Sequence, residues 1–368
     1  MRYSIDPRAH KPAYLQLYEQ LRADITAGVY PFDTKAPSKR LLAEEMHLSL
    51  ATVEHAYQLL CEEGYIEPRQ RSGYYVSFLP GDPFAAAQLP QSAPAYPAVH
   101  TSGADLPFGV LARAMRSVLS EYQEAILVKT PNSGCMELRE AISRYLARSR
   151  GLNARPEQIV IGSGAEYLYG QIVKMLGRER IYGLEDPGYA RIKEVYQAEG
   201  AQCEMLPLGH SGIESAALAS CAASVLHITP YRSYPTGVTA TASKRHEYLR
   251  WAQQDGRCLI EDDFESEFSV SGKPVETLFA MAQGHPGAHV IYLNTFSKTI
   301  SPSLRIGYMV LPEAYLPLYE RAAGFYSCTV PAFEQYVLAA LISGGDFERH
   351  INRVRRKKRR ELSEKERP

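Results

Sequence analysis

A lysine that follows an apolar, strand-like run is the residue of this chain best suited to covalent chemistry. Lys298 comes shortly after residues 290–293, in the sequence Thr-Phe-Ser-Lys. Burial beyond a strand would disfavour its charged ammonium, and a neutral amine can form a Schiff base with an aldehyde cofactor. Ser297 and Arg305 lie close by and are suited to bind a phosphate. Most Ser-Lys pairs are ordinary solvated residues, so other features must support this interpretation.

Two further turns could complete a site for a flat, phosphorylated ligand. Gly164 and Ala165 follow a predicted strand and open a predicted helix, where backbone N–H groups can bind a phosphate. Tyr189 follows another strand in the sequence Asp-Pro-Gly-Tyr, so its ring could stack on a planar group. Either segment alone could equally be an ordinary turn with a packed side chain.

An acidic cluster ends a third predicted strand. Glu261, Asp262 and Asp263 follow the apolar residues 258–260. A carboxylate at this place could pair with a pyridinium nitrogen, keep it protonated and strengthen an electron sink. A solvated or helix-capping group of acids is the alternative interpretation.

The N-terminal residues carry a second group of candidates, which are suited to DNA. Helix starts at Ser38 and Ser49 and short strands at 65–67 and 73–76 predict three helices and a β-wing. A helix that starts at Ser49 can enter the major groove with its first turn at the base edges, while nearby cations bind phosphates. The same pattern fits a three-helix protein-interaction module. The candidate DNA-binding residues are Lys35, Ser38, Lys39, Arg40, Ser49, Thr52, His55, Arg69 and Arg71.

Two kinds of structure must position these residues. We predict a winged helix of the α+β class over residues 1–78 and an extended, Pro-rich linker over 79–108. Residues 109–345 alternate strand-like and helical patterns, which predicts an α/β domain with a mostly parallel sheet. Residues 346–368 form a basic helix. The predicted strands are 158–161, 180–184, 225–229, 258–260, 290–293 and 307–311.

The composition is that of an ordinary globular protein. Hydrophobic residues make up 45% of the chain and charged residues 22%, with a formal net charge of zero. Any affinity for DNA must therefore come from a local cluster of cations. The 6 cysteines include no Cys-x-x-Cys pair, so neither a zinc site nor a disulfide framework is predicted, and free thiols fit the cytoplasm. We expect no membrane span, because no apolar run is long enough.

Two resemblances favour the functional interpretations. Residues 13–77, which include the run LYEQLRADITAGVY, resemble a GntR-type winged helix. The order of the glycine turn, Tyr189, Asp262 and Lys298 resembles that of a fold-type I aminotransferase domain. Together the two parts resemble the MocR/GabR-type transcription regulators, over about residues 13–77 and 110–360.

The resemblance implies a role for each candidate in the second group. Lys298 would form a Schiff base with pyridoxal 5'-phosphate, and Asp262 would pair with the pyridine nitrogen. Tyr189 would stack on the ring, and Arg191 could contact the carboxylate of an effector. The phosphate would be held by Gly164, Ala165, Ser297 and Arg305.

The chain also departs from the family pattern. Phe264 stands where the family commonly has a Tyr that reaches the cofactor. Residues 232–237 lack the usual His-Gln pair, and residues 128–132 lack a Tyr that reaches the partner subunit. Family members continue past the helix that starts near Asp346 into a small domain, which normally supplies an Arg for the substrate carboxylate. The sequence therefore predicts a chain without this small domain.

The predicted function is that of a pyridoxal-phosphate-dependent, DNA-binding transcription regulator. It would sense an amino acid, an amine or the cofactor itself through Lys298. Expected partners are operator DNA, a small amine or amino-acid effector, and a second copy of the chain in a homodimer that could exchange its winged helices. One alternative is an aminotransferase with an accessory DNA-binding module, although Phe264 leads us to expect residual transamination at most. Another is a DNA-binding remnant that senses nothing.

Overall fold

The computed structural model describes most of the chain, and the chain divides into two units, Met1–Val99 and His100–Pro368. Most of the predicted linker and Arg71 lie outside the described residues. Among the helices that are described, none is both long and apolar enough to cross a membrane. The described residues are 3–6, 9, 11–70, 72–79, 106–254, 256–264, 266–269 and 276–365.

Three helices and a hairpin form the first unit, as predicted. They are α1 (Ala13–Thr26), α2 (Lys39–Glu45), α3 (Leu50–Glu62) and the antiparallel strands β1 (Ile66–Arg69) and β2 (Gly73–Val76). The fold class predicted for the N-terminal residues is confirmed.

The spacing of apolar residues explains how these helices pack. Leu17, Leu21 and Ile25 recur every four residues along α1, so they lie on one face, and all three are buried. The start of α3 is fixed by Ser49, whose side chain accepts a hydrogen bond of 3.1 Å from the backbone N–H of Thr52. A helix with this start presents its first turn to solvent.

An eight-stranded sheet organises the second unit. The order of strands across the sheet is β3-β10-β9-β8-β7-β4-β5-β6. Strand β10 is antiparallel to both of its neighbours and β6 is antiparallel to β5, whereas the other neighbours are parallel. The predicted mostly parallel sheet is confirmed. The strands are β3 (Ile159–Gly162), β4 (Ile181–Asp186), β5 (Gln202–Gly209), β6 (Gly212–Ile213), β7 (Val225–Ile228), β8 (Cys258–Asp262), β9 (Val290–Thr295) and β10 (Gly307–Val310).

The central strands are buried on both faces, since successive residues join two different hydrophobic clusters. Leu259 of β8 belongs to one cluster and Ile260 to the other. This is the pattern of a sheet covered by helices on each side. The helices of this unit are α4 (Phe108–Tyr122), α5 (Met136–Arg150), α6 (Ala165–Leu176), α7 (Ala190–Ala198), α8 (Ser215–Ser220), α9 (Ala242–Ala252), α10 (Leu278–Ala282), α11 (Leu316–Ala322), α12 (Ala332–Ser343) and α13 (Asp346–Lys365).

The segments that carry the candidate site lie along one edge of the sheet, the edge formed by the carboxyl ends of its parallel strands. The parallel strands end there, at residues such as Gly162, Asp186, Asp262 and Thr295. Strand β10 runs the other way, so it begins at this edge, where Gly307 pairs with both Gly162 and Thr295. Ligands of open α/β sheets bind outside the carboxyl ends of the strands, and the candidate residues lie there.

Candidate cofactor site

Asp262, the last residue of β8, is buried, and one of its two carboxylate oxygens accepts no hydrogen bond from a described residue. Its Oδ2 accepts a hydrogen bond of 2.5 Å from the hydroxyl of Tyr169 and lies 3.4 Å from Nε2 of His227. Its Oδ1 is also buried, and no described residue donates to it. A buried acceptor without a donor is unfavourable unless a ligand supplies one. The N–H of a protonated pyridine is a donor of this kind, so the site fits such a ring.

The groups around Asp262 are held in their donor forms. Burial, together with the Asp262 carboxylate, raises the pKa of Tyr169 well above its usual value, so Tyr169 keeps its proton and donates it. The Tyr196 hydroxyl lies 2.6 Å from Nδ1 of His227, and burial raises the pKa of Tyr196 as well. With Tyr196 donating to Nδ1, the proton of a neutral imidazole lies on Nε2 and faces Asp262. This network therefore orients the carboxylate of Asp262.

Lys298 lies in a turn beyond the end of β9, at the neighbouring strand end. Its Nζ is 4.3 Å from the centre of the Phe264 ring, and Phe264 follows shortly after Asp262 in the chain. The structure thus places the amine and the carboxylate on adjacent segments of one edge. The side chain of Lys298 is exposed. The burial that we expected for this residue is therefore wrong: β9 ends at Thr295, and Lys298 is an exposed residue of the turn that follows.

The N-terminus of α6 lies against the turn that contains Arg305. A Cβ atom placed on Gly164 would be 3.0 Å from Nη2 of Arg305, so glycine is what lets the guanidinium approach this closely. The first N–H groups of a helix, here from Ala165 onward, have no acceptor within the helix and can bind an anion. Arg305 also forms an ion pair with Glu166. The backbone N–H groups at the start of α6 and the guanidinium of Arg305 therefore lie close together.

Ser297 joins this group through Thr295. The two hydroxyl oxygens are 3.1 Å apart, and that of Thr295 donates to the carbonyl of Ile306, next to Arg305. Ser297 is thus linked through Thr295 to the segment that leads into Arg305, which contacts Gly164 at the α6 N-terminus.

Tyr189 precedes α7 and borders a cavity of about 200 Å³ at the carboxyl end of β4. Its side chain is 47% exposed, and its ring meets that of Tyr234 edge to face, with centroids 6.1 Å apart. His227 and Thr229 line the opposite wall. His227, which lines this cavity, also lies 3.4 Å from Asp262, so the cavity is next to that carboxylate.

Glu185 is a site residue that the sequence analysis missed. It is buried beside the cavity, where its oxygens accept hydrogen bonds from the backbone N–H of Thr229 and, at 2.5 Å, from the hydroxyl of Ser233. Burial raises the pKa of Glu185 to about 7. Its carboxyl group holds residues 229–233, and so places Tyr234 near Tyr189. The only local signal was an acid at the end of an apolar strand.

Arg191 does not reach the cavity. Its side chain is exposed and pairs with Glu194 one turn along α7, with the two atoms 2.9 Å apart. The residues on either side, Ala190 and Ile192, do line the cavity. Contact between Arg191 and an effector carboxylate therefore stays a prediction that this geometry does not favour.

In the first unit, the predicted base-contacting residues lie along α3. Ser49 is exposed, and its hydroxyl oxygen lies 2.7 Å from that of Thr52. His55 is exposed on one side only, because its ring stacks on Tyr14 of α1 at a centroid distance of 3.9 Å. The first turn of α3 is thus open to a ligand, whereas His55 is tied to a neighbouring helix.

The predicted phosphate-binding cations have weak partners. Lys39 lies 3.0 Å from Glu54, and Arg69 lies 2.5 Å from Asp33 and over the ring of Tyr75. Ion pairs at the surface are weak because water and salt screen them, so phosphates can replace the acids. The candidates Lys35, Ser38 and Arg40 are exposed on the same unit.

Two family models match the chain. Residues 102–366 match the aminotransferase class I and II family, and residues 13–76 match the bacterial regulatory proteins of the gntR family. The first of these covers well over half of the chain.

Similar curated proteins match nearly the whole chain. The uncharacterized HTH-type transcriptional regulator YdeL of Bacillus subtilis is 33% identical, over 95% of this chain and 78% of its own length. The probable rhizopine catabolism regulatory protein MocR of Rhizobium meliloti is 30% identical, over 96% and 76%. A 2-aminoadipate transaminase of Thermus thermophilus is 28% identical, but over 67% of this chain.

Solved aminotransferases have the fold of the second unit. The α-aminoadipate aminotransferase LysN of Thermus thermophilus matches with a TM-score of 0.59 and 27% identity, and the kynurenine aminotransferase of Pyrococcus horikoshii with 0.60 and 26%. Each match covers 68% of this chain and 64% of the solved chain. The cofactor implied by this fold is pyridoxal 5'-phosphate, and the resemblance seen in the sequence is confirmed. The chain belongs to the MocR-type HTH transcriptional regulators, in which a GntR-type winged helix is fused to an aminotransferase class I and II domain.

Proposed function

We propose that this protein binds operator DNA through its winged helix and adjusts that binding to a small amine, an amino acid or pyridoxal 5'-phosphate. The observation that carries the proposal is the buried Oδ1 of Asp262, to which no described residue donates, at the end of a strand that neighbours the strand leading to Lys298. The same chain carries both this candidate cofactor site and a winged helix of the gntR family. In our assignment the winged helix comprises residues 1–78 and the linker 79–108; the cofactor-binding part comprises 109–345 and the terminal helix 346–368.

Each residue of the site has a defined task. When bound, pyridoxal 5'-phosphate supplies an aldehyde that condenses with amines. Asp262, which is oriented by Tyr169 and His227, would accept a hydrogen bond from the N–H of the protonated pyridine ring. Lys298 presents its amine at the open edge, where an effector amine can also arrive. Tyr189 covers the ring, and the phosphate is held by Gly164, Ala165, Ser297 and Arg305.

The DNA side of the proposal follows from the winged helix. The first turn of α3, with Ser49 and Thr52, reads base edges, while Lys39, Arg40 and Arg69 bind phosphates. We infer a homodimer, with the winged helices exchanged between protomers, and therefore an operator of two half-sites. A ligand can change DNA affinity only if it binds two conformations differently.

An aminotransferase with an accessory DNA-binding module is the second candidate. The similarity to solved aminotransferases favours it. The proteins that match nearly the whole chain are regulators, however, and Phe264 brings no hydroxyl to the site. We therefore propose residual transamination at most.

The proposal predicts reciprocal coupling between cofactor and DNA. Operators would first be selected by the intact protein from a pool of random duplexes, and we expect paired half-sites. Adding pyridoxal 5'-phosphate should then change the operator dissociation constant by about 5- to 150-fold, and operator should change the cofactor affinity by the same factor. Titrations in both directions measure the two factors. DNA binding that stays unchanged with the bound cofactor, both alone and together with amines and amino acids, would contradict the proposal.

Charge variants test whether the winged helix makes the DNA contacts. Arg40→Ala should weaken binding to all duplexes alike and reduce the slope of log K against log salt by about one. The control Arg116→Ala removes an equally exposed charge from α4 of the second unit, and we expect no change in the slope.

A further inference from the structure

An acidic side chain already binds the cation at the predicted phosphate site. Glu166 lies in the first turn of α6, and its carboxylate pairs with the guanidinium of Arg305. Both side chains are partly exposed, 36% for Glu166 and 53% for Arg305. A carboxylate at the positive end of a helix dipole is well placed. Glu166 therefore has the position and the charge of an internal anion.

A phosphate at this helix end would meet a cation that already has an anionic partner. Arg305 is held above Gly164, where a Cβ atom would come within 3.0 Å of the guanidinium. On the other side of the turn, the backbone N–H of Ser163 already donates to the hydroxyl of Thr329 at 3.1 Å. A phosphate at the α6 N-terminus would share Arg305 with Glu166, and the two negative charges would repel each other.

We propose that Glu166 competes with the phosphate of the cofactor for Arg305. The phosphate must displace the Glu166 carboxylate, so Glu166 lowers the affinity for the cofactor. It thereby raises the cofactor concentration at which the protein responds. This inference rests on the proposed function, since it assigns a device that tunes the same site.

The energies are suited to competition rather than exclusion. A partly exposed ion pair is weak, whereas a phosphate can bind a guanidinium through two parallel hydrogen bonds. The phosphate therefore displaces the Glu166 carboxylate at sufficient concentration, but its affinity is lower than it would be at a site without the acid. The opposite role is that Glu166 orients Arg305 for the phosphate, in which case its removal would weaken binding.

The variant Glu166→Gln separates these two roles. We expect it to bind pyridoxal 5'-phosphate and inorganic phosphate about three- to tenfold more tightly than the unmodified protein. Pyridoxal, which lacks the phosphate, should bind equally to both. Absorbance titration follows the two aldehydes, and displacement of pyridoxal 5'-phosphate follows inorganic phosphate. In an Arg305→Ala background most of the gain should vanish, because the competition acts through that cation.

The other end of α6 provides a matched control. Glu199 pairs with Lys174 of this helix at 2.9 Å, and both are partly exposed. Glu199→Gln removes the same charge away from the phosphate site, so the affinities should stay unchanged. Equal or weaker phosphate binding by Glu166→Gln, or an equal gain for pyridoxal, would overturn the competition while leaving the proposed function intact. If the unmodified protein binds no pyridoxal 5'-phosphate, both fall.

Discussion

Replacing Arg150 with Met is expected to lower the free energy of unfolding of the second unit by about 3–5 kcal/mol. Arg150 ends α5, and its Nη2 lies 2.8 Å from Oδ2 of Asp263, with only 6% and 3% of the two side chains exposed. Removing one partner of a buried ion pair leaves the other charge in a medium that solvates it poorly. The loss arises from the charge that remains rather than from the contact itself.

Asp263 is one of several acids in this interior. Burial raises the pKa of Glu261 and of Glu267 to about 7, and Arg150 opposes the shift at both. Without Arg150 these carboxyl groups repel one another more strongly. They can escape only by binding protons, so the deficit of the Met variant should shrink as the pH is lowered from 8 towards 5.

Thermal unfolding of the intact chain, followed by circular dichroism, measures this effect. Arg148→Met is the matched control, because Arg148 lies on the same helix and pairs with Glu348 on the surface, with 53% and 38% of the side chains exposed. We expect that control to cost less than about 1 kcal/mol. Equal losses for the two variants would show that the buried pair has no special role.

Replacing Asp262 with Asn should weaken the binding of pyridoxal 5'-phosphate by about 10- to 100-fold. Asn has the same shape and still accepts the hydrogen bond from Tyr169, but it lacks the charge that stabilises a pyridinium proton. Hydrogen bonds to charged groups contribute about 1.5–3 kcal/mol, which corresponds to this range of affinity. Absorbance titration with the cofactor measures the change.

Replacing the neighbouring acid, Asp263, with Asn should have the opposite effects on stability and on cofactor affinity. Without cofactor, Asp262→Asn should unfold at the same temperature as the unmodified protein or higher, since it removes a buried charge whose Oδ1 has no donor among the described residues. Asp263→Asn should do the reverse and lower the unfolding temperature with little change in cofactor affinity. If both variants lose the same affinity, Asp262 is not the residue that holds the ring.

The sequence predicted most strands of the sheet and the candidate residues beside their ends. Buried parallel strands are continuous apolar runs, so β3, β4 and β7 to β10 were found within two residues or so of their observed ends. Strand β5 was missed because it has no continuous apolar run. It lies next to the outermost strand β6, and Leu206 is its only fully buried residue. Asp262, Lys298 and Arg305 could be predicted as site residues because each lies at, or within three residues of, the end of a strand.

The contacts between distant segments were beyond the sequence. Tyr169 meets Asp262 across 93 residues and His227 meets it across 35, and no local pattern predicts such pairs. The position of Arg191 on α7 shows the same limit. Successive helical residues point in different directions, so Ala190 faces the cavity while Arg191 faces solvent. The resemblance to the family implied that Arg191 contacts a carboxylate, and the direction of its side chain on α7 does not favour this prediction.

The lysine to which the cofactor attaches shows whether the ends of β8 and β9 form the cofactor site. The intact protein would be incubated with pyridoxal 5'-phosphate, treated with borohydride to fix the cofactor on its amine, digested and examined by mass spectrometry. We predict a phosphopyridoxyl group on Lys298, and none at that peptide in Lys298→Ala. Labelling of another lysine in place of Lys298, or no labelling at saturating cofactor, would contradict the assignment of this sheet edge as the cofactor site.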